Sequence, residues 1–575
     1  MNGGSGFPEV QVMERYPLNP ALSIPANWPI RRPLLWLFDA QAGPQGRFMP
    51  RWIFLRALAA IYFSAFFSLI FQIKGLMGPQ GILPAQNYLD AVQDAMGSLR
   101  FWYAPTLFWL SSSSQCLVAI TWLGLIASVV AFFNIWPRLS FFICFLCFLS
   151  FVSAAEAFSG YQSDGMLLEA GFLALFFAPR GFLPGWGAAS RFSRASLFLL
   201  LWEWFRIYFE SGLVKLLSGE TQWRDFTAMD EYYQNGPLPT WIGWYVEHLP
   251  HWFHAASVVV TLGMELVVIW MIFLPRRVRI ICFCIVTPWE IGVILTANYA
   301  FLNYLALALG VLLLDDRSLR WLMPARLRTT LPEPPLENAA PPEARPLSIL
   351  EAACEAEEKV QPTTRGPAFY LKLARLSVTA LMLTWIAYAT TVEMIRMPWP
   401  DFPLPYSPVT ALEPLRIANQ YGLFAVMTRG RYEIEFQGSN DGQNWTPYLF
   451  HCKPQALDQA PRIYAPYQPR FEWNLWFASL GDWRQNSLVP LTQERLLEND
   501  PDVLALFEGN PFRQAPPRFV RSVLWHYWFT SMDEKRRTGN WWRRDLMGLY
   551  APELTRLPDG EFGVVKWPEQ LAPHE

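Results

Sequence analysis

Residues 197–226 read LFLLLWEWFRIYFESGLVKLLSGETQWRDF, an apolar run long enough to cross a bilayer that nonetheless carries Glu203, Arg206, Glu210 and Lys215. A charge at membrane depth costs from about 3 to more than ~10 kcal/mol, so such groups face a bundle interior or a cavity. At about 100° per residue, Glu203, Arg206 and Glu210 fall within about 60° of one another, and one helix face can hold an acid–base–acid ladder. Lys215 lies about 120° from Glu203 and joins that face only if Ser211-Gly212 loosens the backbone. The run then exits through Trp223-Arg224-Asp225, a polar aromatic loop. The pattern predicts a membrane protein with a polar interior site.

Composition agrees with a bilayer as the main partner. Hydrophobic residues make up 52% and charged residues 16%, against about 25% charged in soluble domains. A net charge of −2 provides no electrostatic basis for binding nucleic acid. The Pro- and Arg-rich N-terminus has no early apolar core, so the first hydrophobic segment is expected to act as an uncleaved anchor. Of seven cysteines, Cys116, Cys144, Cys147, Cys282 and Cys284 sit in apolar runs, which is not a disulfide framework. Cys144 and Cys147, within FFICFLCFL, read as small hydrophobes.

Apolar windows of the length that spans a membrane fall near 53–73, 117–136, 139–158, 165–178, 195–217, 253–274, 280–296, 299–314 and 374–392. The fourth is short and acidic, and Pro288 breaks the seventh. With Arg31, Arg32, Arg47 and Arg51 in the cytoplasm, the inside loops hold Arg138, then Arg180, Arg191 and Arg194, then Arg276, Arg277 and Arg279, then the arginines of 317–328. Each is basic near its membrane end, as the positive-inside rule requires. The expected fold is a polytopic α-helical membrane bundle of about nine spans with a C-terminal extracytoplasmic β-sandwich-like domain. Its parts are a cytoplasmic segment over 1–50, a bundle over 51–317, a Pro/Glu-rich cytoplasmic linker over 318–373, a last helix over 374–396 and a β-rich domain over 397–575. In that domain RYEIEFQ (431–437) alternates like a half-buried strand, and Gly438-Ser-Asn-Asp-Gly442 supplies turn chemistry. Helical pieces are expected near 470–480 and 494–507.

The stretches YQSDGMLLEAGFLALFFAP (161–179), GLVK (212–215), WRDFTAMDEYYQNGPLP (223–239), HWFH (251–254), NYAFLNYLALALGVLLLDD (298–316), NQYGLFAVMTRGRYEIEFQGSNDGQNW (419–445), APYQPRFEWNLWFASL (465–480), NPF (510–512) and GNWWRRDLMGLY (539–550) occur in matching order. Together they resemble the lipase maturation factor family, polytopic proteins of the endoplasmic reticulum membrane in animals, which are needed for secreted dimeric lipases to fold. The resemblance implies a membrane maturation factor for an exported client protein, a lipase if the client is shared. Short connectors and few cysteines outside the membrane runs point to a bacterial inner membrane for this chain. Gly212-Leu-Val-Lys215-Leu is also similar to a motif of vitamin K-dependent carboxylases, whose membrane-embedded lysine acts as a base. That second resemblance implies an alternative: a membrane enzyme acting on a quinone-like lipid or a protein side chain, with Lys215 as catalytic base.

Each residue admits a structural reading beside the functional one. Glu169, Glu203, Arg206 and Glu210 form either a buried charge network tying helices together or a site. Lys215 is a base or an interfacial ammonium reaching water. Tyr161 and Asp164 at the outer mouth, Trp223, Arg224 and Asp225 in the loop, and His254 form the candidate client site, with an anchor, a helix cap and a loop clamp as the alternatives. Glu265 and Glu290 are expected as buried hydrogen-bonded acids. His248, His251 and His254 suggest a metal, but Pro250 interrupts their helix, so no metal site is expected. Trp473, Trp476, Trp541 and Trp542 read as core or docking residues, with a client surface as the alternative. Nucleotide motifs, catalytic triads and zinc spacings are absent, which argues against an ATP-driven or hydrolytic chaperone. A transporter ranks below both readings because no repeat symmetry appears.

Overall fold

The computed structural model describes residues 31–322 and 367–569. The rest of the expected cytoplasmic tail, 1–30, and most of the expected linker, 323–366, lie outside the described residues. The bundle is built from α1 (Phe48–Ile70), α2 (Ser114–Phe132), α3 (Pro137–Val152), α4 (Gln162–Phe177), α5 (Arg194–Leu217), α6 (His251–Leu266), α7 (Arg276–Thr296), α8 (Leu302–Gly310) and α9 (Pro367–Arg396). Short 3₁₀ turns extend α6 through Val268–Phe273 and α8 through Val311–Leu313. Five of these are long and apolar enough to cross a membrane alone: α1, α2, α6 with its extension, α7, and α9 over Tyr370–Arg396. Helices α3 and α8 are apolar but shorter, α4 has 16 residues, and α5 has the length but carries its four charges. The chain is an integral membrane protein with a C-terminal domain.

Local chemistry sets the helix starts. Ser193 Oγ accepts the Ser196 N–H at 3.1 Å to begin α5, and Pro137 occupies the first turn of α3, where no N–H is needed. In lipid, helices associate through close packing rather than hydrophobic burial. Gly171 of α4 accordingly lies directly against the Tyr62 hydroxyl of α1, which donates to the Leu167 carbonyl at 3.0 Å. A Cβ at Gly171 would collide with that hydroxyl. Helix α1 is central, with 61% of its apolar window buried, whereas α7 at 17% lies on the rim.

Beyond the bundle, one five-stranded antiparallel sheet runs in the order β2-β1-β3-β4-β5. Its strands are β1 (Arg431–Ser439), β2 (Thr446–Pro447), β3 (Phe519–Phe529), β4 (Trp542–Arg556) and β5 (Phe562–Lys566). A single sheet stands where a sandwich was expected: among the described residues, helices rather than a second sheet cover it. Helix α10 (Arg470–Ser479) packs on β1, and α11 (Leu488–Leu497) packs on β3 and β4. The first helical expectation fits α10. The second falls on α11 and the short turn Pro501–Leu504. The β1–β2 turn forms as its chemistry implies, with Asp441 accepting the N–H groups of Gln443 and Asn444 at 2.9 and 2.8 Å.

Strand β1 departs from the half-buried expectation, since both of its faces are covered. Ile434 and Phe436 enter the core, while the polar face pairs internally. Arg431 bonds Glu433, Lys453 Nζ lies 2.7 Å from Glu433, and Arg544 lies 3.1 Å from Glu435. Burial pulls the Arg431 guanidinium below its ordinary range, and Glu433 opposes the shift. The alternation was real, but the polar row carries buried ion pairs instead of meeting water.

The loop after α5 belongs to this domain. Arg431 donates to the Gln234 carbonyl at 2.9 Å and Trp476 Nε1 to the Asn235 carbonyl at 3.0 Å. Trp473, Trp476 and Trp542 are buried, as core or docking residues would be.

Candidate functional site

The buried charges of the bundle converge on a short peptide from the C-terminal region, residues 419–424 (NQYGLF). Arg206 donates to the Asn419 carbonyl at 2.5 Å and pairs with Glu169 of α4. Glu169 also accepts the Asn419 amide N–H at 3.2 Å and the Tyr421 hydroxyl at 2.8 Å. One turn along α5, Glu210 accepts the Tyr421 amide at 2.6 Å. Ser211 Oγ then accepts the Leu423 amide at 3.2 Å, and Lys215 donates to the Leu423 carbonyl at 3.0 Å. Beyond the helix, Trp223 Nε1 donates to the Phe424 carbonyl at 3.0 Å. On the helix Arg206 and Lys215 stand about 180° apart with Glu210 and Ser211 between them, so the peptide winds about half-way round α5 and is held largely by its backbone.

Helix α5 runs unbroken to Leu217 with no loosening at Ser211-Gly212, so Lys215 stays off the Arg206 face and meets the peptide further round the helix. Its partner comes from α6: Nζ lies 2.8 and 2.9 Å from the two Glu265 oxygens. Gly212 permits that approach, since a Cβ there would stand 2.8 Å from Glu265 Cβ. The ammonium also lies 5.0 Å from the centre of the Trp223 ring. Deeper in the same region, Glu290 accepts from Tyr208 at 2.7 Å and from Asn303 at 2.5 Å, the buried hydrogen-bonded acid expected there. The cavity beside Lys215 measures about 60 Å³. At roughly 15 Å³ per water it holds about four waters, whereas small-molecule pockets run from about 300 Å³ upward.

At the outer mouth, Asp164 and Arg470 form a bidentate pair at 2.7 and 2.8 Å, with both side chains fully buried. Arg470 also donates to the Phe158 carbonyl at 2.7 Å, and its guanidinium lies 4.7 Å from the Phe151 ring centre. Tyr161 packs on Trp473 and accepts from Asn474 at 2.6 Å. A polar cavity of about 220 Å³ opens beside it, lined by Gln162, Glu393, Glu413, Arg416 and Asn419. Of the loop residues, Arg224 and Asp225 are exposed, whereas Trp223 is 1% exposed and His254 2%. Trp223 and His254 are therefore internal. His254 bonds the Leu249 carbonyl at 3.0 Å instead of facing outward.

Glu203 does not share the ladder that the helical wheel suggested. It is fully buried, and neither carboxyl oxygen has a hydrogen-bond partner among the described residues. Arg206 turns instead to Glu169 on the neighbouring helix. An unsatisfied buried polar group costs about 1–3 kcal/mol, so Glu203→Leu is expected to raise stability by a similar amount. The midpoint of thermal unfolding in detergent checks this, and a lower midpoint would mean that Glu203 has a partner.

Comparison with known proteins follows the same division of the chain. The family model for the lipase maturation factor transmembrane domain matches residues 49–321, and that for the lipase maturation factor C-terminal domain matches 417–552. Lipase maturation factor 2 of Gallus gallus is 31% identical over 590 residues, covering 88% of this chain and 81% of its own length. The chain belongs to the lipase maturation factor family. Lipase maturation factor 1 of Mus musculus is 30% identical over 539 residues, with 90% of each chain covered, and that of Homo sapiens is 28% identical over 526 residues, with 88% of each covered. No solved structure matches. The carboxylase alternative finds no support among these relatives.

Within this lipase maturation factor, sequence reasoning missed the partners more than the charges. Asn419, Tyr421 and Arg470 were visible only as parts of the family-like stretches 419–445 and 465–480. Nothing local marked them as receptors for charges more than 200 residues away.

Proposed function

We propose that the protein is a membrane-anchored maturation factor for an exported lipase, with the C-terminal domain as its client-facing platform. The observation that carries this reading is the use of the bundle's charges. Asp164, Glu169, Arg206, Glu210 and Lys215 all bond residues of the C-terminal region. Charges engaged in this way serve to hold a platform in a fixed place. The outer rim of the sheet leaves Leu546, Val564, Val565 and Trp567 exposed, with β5 as an open edge strand. An open edge can pair with an unfinished strand of a folding client. Arg224 and Asp225 border the same side of the membrane as this platform. Co-expression with a secreted dimeric lipase tests the proposal. Lipase activity per amount of secreted antigen should rise with the protein present, and Val564→Asp/Trp567→Asp should reduce that gain at unchanged abundance. No change in specific activity with the protein present would overturn it.

Nine crossings and an outside location for the domain complete the proposal. Arg47, Arg194 and Arg276 mark the starts of α1, α5 and α7, while the far end of α1 meets the domain through Gln72, which accepts the Arg470 N–H at 2.8 Å. The basic ends and the domain thus lie at opposite ends of α1, and the basic side belongs in the cytoplasm. Short connectors and few cysteines outside the helices favour a bacterial inner membrane. A reporter that is active only in the cytoplasm, fused after Glu575, should stay silent. A strong signal would remove the platform from its client.

A further inference from the structure

At the end of the bundle opposite the C-terminal domain, a cavity of about 650 Å³ opens between the starts of α1, α5 and α7. Its polar wall is rich in arginine: Arg47, Arg194, Arg279 and Arg317 line it, with Asp315 and Asp316 as the only acids. Both acids are already engaged. Asp315 pairs with Arg276, and Asp316 accepts the Phe48 and Met49 N–H groups at 3.1 and 2.7 Å. Arg47 is buried and donates to the Leu312 and Leu314 carbonyls at 2.5 and 3.1 Å. Burial, with Arg279 alongside, pushes its guanidinium down to about 10. Nε of Arg194 and Nε of Arg279 are buried and have no hydrogen-bond partner among the described residues. Arg194 and Arg279 thus keep donors for an anion.

The other wall is hydrocarbon. Phe198 and Trp202 stack with planes 12° apart, Trp202 and Phe205 at 17°, and Phe205 and Phe209 at 14°. This stack runs along α5 from half-exposed Phe198 near the arginines to fully buried Phe205, and Phe273 closes on Phe205 edge-to-face at 5.2 Å. Phe198 and Phe273 are about half exposed. A cationic pocket that continues into an apolar track matches a molecule with an anionic head and a long hydrocarbon tail. Basic pockets between membrane helices are suited to such head groups, and guanidinium is the side chain best fitted to a phosphate.

We propose that this pocket binds an anionic phospholipid, its phosphate held by Arg194 and Arg279 and one acyl chain laid along Phe198, Trp202 and Phe273. The assignment does not depend on the client or on the direction of insertion. The purified full chain in neutral detergent provides the test, with phosphatidylglycerol, phosphatidylcholine and inorganic phosphate as probes. Phosphatidylglycerol should raise the unfolding midpoint by on the order of a few degrees, and native mass spectrometry should find one such lipid retained per chain. Phosphatidylcholine and inorganic phosphate should do neither. Arg194→Gln/Arg279→Gln should keep the midpoint measured in phosphatidylcholine and lose the phosphatidylglycerol increment. Equal increments from both lipids would reduce the site to ordinary solvation by the bilayer and overturn the proposal. An increment reproduced by inorganic phosphate would make it a site for a free anion, and a full increment in the double variant would remove the arginines from it. If the double variant does not accumulate, the same comparison on Arg194→Gln alone decides, because Arg194 is partly exposed at a helix start.

Discussion

Arg470→Leu is expected to cost about 3–5 kcal/mol, the usual penalty for removing one partner of a buried ion pair. Asp164 would be left fully buried with both of its strongest donors gone. The Phe158 carbonyl would lose its donor as well. Marginal stabilities of about 5–15 kcal/mol make such a loss visible as reduced abundance in the membrane. Because the pair joins α4 to α10, the damage should also loosen the domain from the bundle. Limited proteolysis between the bundle and α10 should then speed up more than proteolysis within the bundle helices. Wild-type abundance with an unchanged cleavage pattern would mean that water reaches Asp164. Asp164→Asn/Arg470→Gln, which removes both charges, should recover part of the loss.

Lys215→Met should be comparably severe, at about 3–5 kcal/mol, because it leaves Glu265 buried without its cation. The informative variant is the double one. Replacing both partners of a buried pair with apolar residues is often neutral or stabilising by about 1–4 kcal/mol, so Lys215→Met/Glu265→Leu should return to near wild-type abundance. A platform needs only the fold, and lipase maturation should recover together with abundance. A general base acts on a barrier and its loss costs about 10²–10⁴ in rate, which no partner substitution restores. Full abundance of the double variant with no gain in lipase activity would overturn the structural role given to Lys215.

Much of the architecture was legible because it rests on local signals. Apolar windows fall on the helices, and the turn residues at 438–442 mark the first hairpin. Glu203, Arg206 and Glu210 are buried as their place in an apolar run implies, whereas Lys215 is buried on Glu265 and does not reach water. The partners of these charges were not legible, because a helical wheel describes one helix while the pairing is decided between elements. Glu203 and Arg206 share a face yet do not bond, since Glu169 and Asn419 claim the guanidinium. The same limit produced the sandwich: alternation in β1 signalled two distinct faces, but not that the polar face would close over its own ion pairs.

The peptide at 419–424 has a consequence for the order in which the molecule is made. Helices α4 and α5 are made well before residue 419, and they carry carboxylates and cations whose final partners lie at Asn419, Tyr421 and Leu423. Roughly 200 further residues must emerge before those groups are satisfied. During that interval the bundle is held by packing and by pairs such as Arg206 with Glu169 and Lys215 with Glu265. Arrival of the peptide satisfies these groups, and it ties completion of the membrane part to delivery of the segment beyond α9. A chain that stalls in between presents a bundle with exposed polar wounds, the kind of species that membrane quality control can recognise.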